Sequence, residues 1–375
     1  LYTTGGVQSN NCPPATTCAV THKNRIFAVA ADGQNIWYTK AAIPGIAPAF
    51  VGTFTLTLVD GGRITALAAL DDVLLIFKAD CIFYVAGDGA LDTGEGSQLG
   101  PPVQIPSDVG CVEPRSVLVT PMGVFFQSTI GIYLLTRDRQ VQYIGKAIED
   151  VFAISSGTYV AAASFCPYAN EVRFIGVTGS SVYVFVYNYL FSAWTYWSLN
   201  NQGTGNDPLI SAAAVNGAYY VAATGGQVYQ ENATGAAGSF LDGSNFVSLT
   251  IITGRIAIGQ VESYQRIRRV RVAADYNDSC DLKMITTVNR AAAGVSYAWT
   301  GAQLAAMLLP VRADAHLSGS QSKAEEVRVT IFDAAPSAGP AVVTGQGLTY
   351  YGLAIEIQPL PRPFTRSLGV PANKE

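Results

Sequence analysis

The chain has 375 residues, of which 49% are hydrophobic and only 13% charged, with a formal net charge of −4. That is about half the usual charged share of ~25%, which reads either as a surface covered by neighbours in an assembly or as a β protein with Thr-rich surfaces. No apolar run reaches the ~18 residues of a membrane-spanning helix, because Asp71-Asp72 breaks the most apolar stretch, 64–77.

The charge is unevenly spread. Residues 1–245 carry 10 Lys and Arg against 17 Asp and Glu, and residues 246–375 carry 13 against 10. The halves are thus −7 and +3, which places a boundary near 245. No basic n-region followed by an apolar h-region opens the chain, so no signal peptide is predicted. A first residue of Leu rather than Met predicts a segment or a processed product of something longer. Six cysteines without a CxxC pair do not make a disulfide scaffold. Cys12 and Cys18 are close enough in sequence to bridge in an oxidising compartment; the others read as buried thiols.

In chain order, pairs of short apolar strands recur. Residues 25–29 lead through Asp32-Gly33 to 36–38, and 73–77 lead through Ala79-Asp80 to 82–84. The same pattern joins 124–126 to 132–134, 172–174 to 182–184, and 218–221 to 228–229. Runs of Val, Ile, Phe and Tyr bounded by Gly, Pro, Asn and Asp are strand–turn–strand signals. The aromatic anchors Trp37, Phe83, Tyr133, Tyr183 and Tyr229 are spaced 46, 50, 50 and 46 residues apart. A first strand precedes each pair, at 18–21, 64–70, 116–120, 159–165 and 209–215. Asn216-Gly217 is the best of the intervening hairpin turns, since both residues tolerate positive φ. Fourth strands are expected at 54–59, 141–144 and 194–199. Four-stranded units of ~40–50 residues predict a β-propeller over 1–231, with five blades visible and six or more in the complete ring.

The repeat stops after Tyr229. A Gly, Ser and Asn stretch, 232–245, reads as a linker. Strands are expected at 246–252, 266–273, 282–287, 326–332 and 348–357, with one or two helical turns at 303–308. Clean alternation in 327–331 and 353–357 predicts an antiparallel β-sandwich over 246–360 with one solvated face. Residues 361–375 read as an extended tail.

Little in the sequence points to catalysis or cofactors. His22 and His316 are the only histidines, which argues against zinc sites or triads built on a histidine pair. No nucleophile elbow or P-loop is present. Asp32-Gly33 reads as a hairpin turn rather than an Asp-box. Asp88, Asp92 and Glu95 lie in the Gly-rich loop 87–96. Clustered carboxylates can hold Ca²⁺, but these lack the EF-hand spacing. The loop reads as a solvated hairpin or a contact with a neighbouring subunit. Arg266, Arg268, Arg269 and Arg271 alternate with Ile267, Val270 and Val272, an arrangement that puts charge on both strand faces. DNA binding needs a basic patch, with aromatics for single strands, and Tyr264 is the nearest aromatic. An ion-pair network or a charged subunit interface is the favoured reading of the arginine run.

Several stretches resemble the tail nozzle proteins of short-tailed phages, also described as tail tubular protein B or packaged-DNA stabilisation proteins. They are Thr3-Thr4-Gly5-Gly6 with Cys12-Pro13-Pro14-Ala15, residues 64–78, and above all 110–116 with 123–128 and 131–134. Residues 264–270 and Gly345-Gln346-Gly347 resemble that family's distal β domain. The resemblance implies a virion structural protein and no enzyme, made in the host cytoplasm and located in the tail. It implies a homohexameric ring below the portal and head-to-tail adaptor, next to tail fibres or a tail needle. Double-stranded DNA would pass through the lumen without sequence-specific binding, and the ring would help retain the packaged genome. No catalytic residue, cofactor, metal or membrane insertion is implied. The alternatives are a receptor- or glycan-binding tail propeller with exposed Trp194, Tyr196 or Trp197, and a propeller hydrolase with Asp60, Asp71, Asp80 or Asp108 converging at its mouth.

Overall fold

The structure is a computed structural model that describes residues 8–91, 93, 99–152, 158–179, 181–198, 209–232, 240–242, 245–258, 265–277, 279–318, 323–337 and 346–358. It is nearly all β, built of several antiparallel sheets. Two compact units divide between Glu231 and Asn232.

Unit 1 is a series of consecutive meanders. Sheet 1 holds β1 (Thr16–His22), β2 (Arg25–Ala30), β3 (Asn35–Thr39) and β4 (Phe50–Thr57) in that order. Sheet 2 holds β5 (Ile64–Leu70), β6 (Val73–Lys78), β7 (Ile82–Ala86) and β8 (Val103–Gln104). Sheet 3 holds β9 (Glu113–Thr120), β10 (Gly123–Gln127), β11 (Ile132–Thr136) and β12 (Val141–Tyr143). Sheet 4 holds β13 (Thr158–Cys166), β14 (Glu171–Thr178), β15 (Ser181–Asn188) and β16 (Ala193–Ser198). Sheet 5 holds β17 (Leu209–Val215), β18 (Ala218–Ala223) and β19 (Val228–Gln230), so the expected four-stranded unit has three strands here among the described residues. One fourth strand differs from expectation, and one appears where none was expected. That of sheet 1 starts earlier, at Phe50, and that of sheet 2 is a two-residue piece too short to leave a periodic signal. Leu199 of the expected fourth strand in sheet 4 lies outside the described residues.

Apolar side chains place the sheets against one another. In β6, Leu74 and Ile76 point into a core shared with sheet 1, while Leu75 and Phe77 point into one shared with sheet 3. A third core joins sheets 3 and 4 through Phe125, Phe174 and Phe185, and a fourth joins sheets 4 and 5 through Ile175, Val184 and Tyr219. Middle strands are therefore buried on both faces, which is why they read as continuous apolar runs rather than alternating ones. The anchors sit at comparable places in the third strands. Phe83, Tyr133 and Tyr183 face the sheet that precedes theirs. Trp37 is on the corresponding face of sheet 1, opposite the side that carries Ile36 and Tyr38 into the core with sheet 2.

First strands of consecutive sheets pack side by side, β1 on β5, β5 on β9, β9 on β13 and β13 on β17. Four of them carry a register break in their N-terminal half: between Thr16 and Cys18, Ile64 and Ala66, Val160 and Ala162, and Leu209 and Ser211. In sheet 3 the register also breaks there, between Phe125 and Gln127 of β10. A bulge bends a strand and raises its twist. Recurring in the same half of the first strands, it lets each sheet turn relative to the next. Turn chemistry recurs too. Asn216 and Gly217 have φ of 51° and 78°. Gly123 has φ of 144°, and a Cβ there would lie 2.1 Å from the Leu135 carbonyl oxygen.

Unit 2 opens with a hairpin, β20 (Leu241–Asp242) and β21 (Asn245–Phe246), so the expected linker 232–245 contains structure. The expected strand at 246–252 is split between β21 and β22 (Thr250–Ile252). Next come β23 (Ile256–Ala257), β24 (Gln265–Tyr276), β25 (Asp281–Val288) and β26 (Val295–Trp299). Then follow β27 (Val311–His316), β28 (Lys323–Ala324), β29 (Glu326–Ala334) and β30 (Leu348–Gln358). Sheet 6 contains β22, β23, β29, β25 and β26, and sheet 7 contains β27, β24, β28 and β30. The two share one core that includes Ile267, Val270, Val272, Leu282, Met284 and Val329. Helix α1 (Gly301–Ala305) begins two residues before the expected 303 because Thr300 caps it. The Gln303 N–H donates to Thr300 Oγ1, and the Thr300 N–H donates to Gln303 Oε1 at 2.9 Å. The expected tail, 361–375, lies outside the described residues.

Candidate functional site

The arginine run lies on β24, the middle strand of sheet 7. Strict alternation would have split the charges between the two faces. The structure corrects this: the register shifts between Ile267 and Arg269, so Arg268 and Arg269 both turn outward. Ile267, Val270 and Val272 are buried, while Arg266 and Arg268 are exposed and Arg269 and Arg271 half-buried. All four guanidinium groups therefore share one face.

A ladder of ion pairs crosses that face. Arg271 grips Asp314 of β27 in a fork, Nε to Oδ1 at 2.6 Å and Nη2 to Oδ2 at 2.8 Å. Arg269 reaches the same carboxylate at 3.2 Å and Glu356 of β30 with its Nε. The Arg271 hydrogen bond holds the Asp314 carboxyl below its ordinary value. Arg268 donates to Gln358 Oε1 at 3.0 Å. Among the described residues Arg266 makes no ion pair, and neither do Arg312 of β27 or Lys323 of β28, which are exposed on the same face.

Asp88 is not free to bind a cation. Its carboxylate lies 2.8 Å from Lys23 Nζ, whose hydrogen bond holds the Asp88 pKa below the ordinary value. Buried Arg25 donates to the Asp88 carbonyl at 2.8 Å and to the Ala90 carbonyl at 2.6 Å. Lys23 and Arg25 belong to sheet 1 and this loop follows β7, so Asp88 ties two sheets together. Asp92 and Glu95 lie outside the described residues. Among the described residues no three His, Cys, Asp or Glu side chains converge as metal ligands.

Cys12 and Cys18 are free thiols rather than a disulfide. Asp71 pairs with Arg137 of the β11–β12 turn. The Asp60 backbone carbonyl accepts from Lys78. Trp194 donates its Nε1–H to the Ile144 carbonyl at 2.8 Å and packs on Tyr187, and Trp197 lies beneath Arg173. Of the three aromatics singled out for surface binding, Tyr196 is the exposed one.

Besides Arg25, the buried cations Arg173 and Lys78 also escaped the sequence reading. Arg173, 3% exposed, sits in the interface between sheets 4 and 5. Its guanidinium lies between the rings of Trp197 and Tyr219, 4.6 and 4.7 Å from their centroids. It pairs with Glu171 and Glu231, each at 2.8 Å. Burial opposes its charge, but the Glu231 and Glu171 carboxylates outweigh that and hold its pKa above the ordinary value. Glu231 is the last residue of unit 1, so the pair anchors the end of sheet 5. Lys78 is fully buried and donates to the Leu58 carbonyl at 2.9 Å and to that of Asp60, pegging the connection from β4 to β5. A charged residue at an inward position of an apolar strand was the available signal for both.

No protein-family profile matches this chain, and no characterised protein matches it in sequence. Among solved structures it is similar to a glycoside hydrolase family 43 arabinoxylan arabinofuranohydrolase from Bacillus subtilis. The identity is 11%, over 91% of this chain and 95% of that one, with a TM-score of 0.26. An insecticidal delta-endotoxin of Bacillus thuringiensis matches at 13% identity over 80% of this chain and 52% of that one, with a TM-score of 0.18. Scores this low carry no argument about activity.

Proposed function

We propose that this chain is a structural subunit of the tail nozzle of a short-tailed phage, with no enzymatic activity. In this reading unit 1 supplies five blades of a β-propeller whose complete ring has six or more, and unit 2 is a β-sandwich. Copies close into a six-membered ring below the head-to-tail adaptor, and double-stranded DNA leaves through the lumen. The observation that carries the reading is that the stretch with the strongest nozzle resemblance, 110–134, is itself one repeat: β9, β10 and β11 of sheet 3. The repeated bulge and the cores between consecutive sheets support the propeller assignment, since stacking leaves only short edges.

The mechanism is mechanical and electrostatic. Phosphate contacts from Lys and Arg dominate DNA affinity and release counterions. Residues 1–245 are net −7, and no Lys or Arg occurs between Arg173 and Arg255. Such a wall lets duplex DNA slide, and retention comes from the bore and its closure. Imaging of intact particles with this chain labelled tests the assignment. A six-fold ring on the tail axis is the expected result. Monomers or trimers at the tail periphery would reject it in favour of a receptor- or glycan-binding component. Purified protein should bind duplex DNA no more tightly than about micromolar at physiological salt, the range of ordinary non-specific binding.

A further inference from the structure

We propose that the solvent face of sheet 7 is a docking surface for a second copy of this chain, which it meets at the acidic end of that copy's unit 1. The inference rests on the ring reading above and names the contact that would build it.

The basic side is a flat β face. Arg266, Arg268, Arg269, Arg271, Arg312 and Lys323 face outward from β24, β27 and β28. Among the described residues Asp275, Asp314 and Glu356 are the carboxylates on the same face, against six cations, so three positive charges remain uncompensated there. The ion-pair ladder holds Arg269 and Arg271 rigid. Among the described residues Arg266, Arg268 and Arg312 have no carboxylate partner, which leaves their charge to an outside group. Burying such a face requires an acidic surface, because an uncompensated charge is costly to desolvate.

The acidic side comes from the topology of unit 1. In a meander, the β2–β3 and β6–β7 turns lie at the same end as the connections into the next sheet. Backbone bonds confirm that layout: the Leu58 N–H donates to the Gln34 carbonyl and the Cys111 N–H to the Lys78 carbonyl. Asp32, Asp60, Asp80 and Asp108 therefore gather at one end of sheets 1 and 2, all exposed. Asp150, from the connection into sheet 4, adds to them. Of the cations at this end, Lys146 already pairs with Glu149 and buried Lys78 is tied to the Leu58 and Asp60 carbonyls, leaving Arg63 and Arg115 at the surface. The two surfaces are opposite in sign, and they occur in equal number when copies associate. A heterologous contact of this kind generates rings or filaments, and complementary charge fixes its register.

The test uses the full chain and two sets of substitutions. The face variant carries Arg266→Glu, Arg268→Glu and Arg312→Glu and leaves the Arg269–Arg271 ladder intact. The end variant carries Asp60→Arg, Asp80→Arg and Asp108→Arg. It spares Asp32, whose carboxylate accepts from the Gln34 and Asn35 N–H groups of its own turn. Circular dichroism establishes that each variant is folded, and sedimentation then measures association. Wild type should associate at about 0.01 M salt and dissociate near 1 M, as the screening length falls from about 30 Å to about 3 Å. Each variant alone should associate about a hundredfold more weakly, since like charges face each other across the contact. The two mixed should assemble beyond a dimer, because the native contact and the charge-swapped contact then alternate between the two variants. Combining both sets in one chain should restore assembly.

A wild-type chain that stays monomeric at low salt overturns the proposal, as does association indifferent to both variants. In either case the ring reading stands or falls separately on particle imaging. A mixture that fails to assemble also overturns it. So does duplex DNA binding that the face variant abolishes while self-association persists, because the occupant would then be nucleic acid.

Discussion

Unit 1 divides its apolar side chains among four cores, each shared by two consecutive sheets, whereas unit 2 gathers them into one core between two sheets. Their charges differ in the same sense. Unit 1 drives cations inward, where Arg25, Lys78 and Arg173 hold neighbouring sheets and connections together. Unit 2 keeps the arginines of β24 and β27 outside, on the solvent face of sheet 7. A stack of repeats has contacts only between neighbours, so each junction has to be specified separately. A buried cation with a unique set of acceptors does this at the price of desolvation. A single closed core is specified by its own packing, which leaves charges free for the surface.

The largest test of this contrast is core truncation. Tyr133→Ala removes a ring that is 8% exposed and stacked on Phe126, and it should cost about 3–5 kcal/mol, like other large core deletions. Met284→Ala in unit 2 should cost about 2–5 kcal/mol. Hydrogen exchange separates the two. Tyr133→Ala should loosen sheets 2 and 3 ahead of sheet 5, whereas Met284→Ala should lower protection throughout sheets 6 and 7. Uniform loss across unit 1 would show one cooperative body instead of neighbour-only coupling.

Arg173→Met should cost roughly 3 kcal/mol, because it leaves Glu171 and Glu231 without their cation and breaks a buried pair. The figure is at the low end since Glu231 remains 38% exposed. Denaturant melts should show sheet 5 released first. A loss below about 1 kcal/mol would reduce Arg173 to an ordinary surface pair.

Acid should reach the two units at different pH. Burial holds the His22 imidazole below its ordinary value of 6.5. Its folded state then binds fewer protons than its unfolded state. Stability from this group is complete above pH 6.5 and falls as pH drops toward the folded pKa. In unit 2, the Arg271 hydrogen bond lowers Asp314 below 3.8. That contribution is present above the unfolded value and is lost as pH falls through the folded one. Thermal melts between pH 7 and pH 5 should weaken unit 1 while unit 2 holds, and His22→Gln should flatten the slope. An unchanged slope in that variant would remove His22 as the cause.

The smallest effect is expected at Arg271→Met, with little or no measurable loss of stability, because the pair with Asp314 is solvent-accessible. Arg173→Met and Arg271→Met therefore form a matched comparison of an inward and an outward cation. Equal losses would erase the distinction between the units.

Much of this architecture was legible in the chain. The spacing of Trp37, Phe83, Tyr133, Tyr183 and Tyr229 located five third strands, because each ring recurs at the same place in its sheet. The first strands of sheets 2 and 5 fall where the apolar runs put them, at 64–70 and 209–215. The boundary after Glu231 was also visible, as the point where the repeat ends. Short strands were less legible: β8 has two residues, and a period cannot be read from two residues. For the candidate site, the sequence singled out Arg266, Arg268, Arg269 and Arg271 but could not add Arg312 and Lys323, which lie 41 or more residues further along the chain.

The sequence by itself determined the alternation of apolar and polar residues, the turn chemistry and the repeat, since these depend on neighbours a few residues apart. Only the tertiary structure decided which way the arginines face. A one-residue bulge at 267–269 reverses the alternation, and a bulge is set by the register of the partner strand β30. The same holds for Arg173, whose burial depends on Glu231 meeting it from a strand end 58 residues away. Register and long-range pairing come from the packing of whole sheets, which no local window of sequence contains.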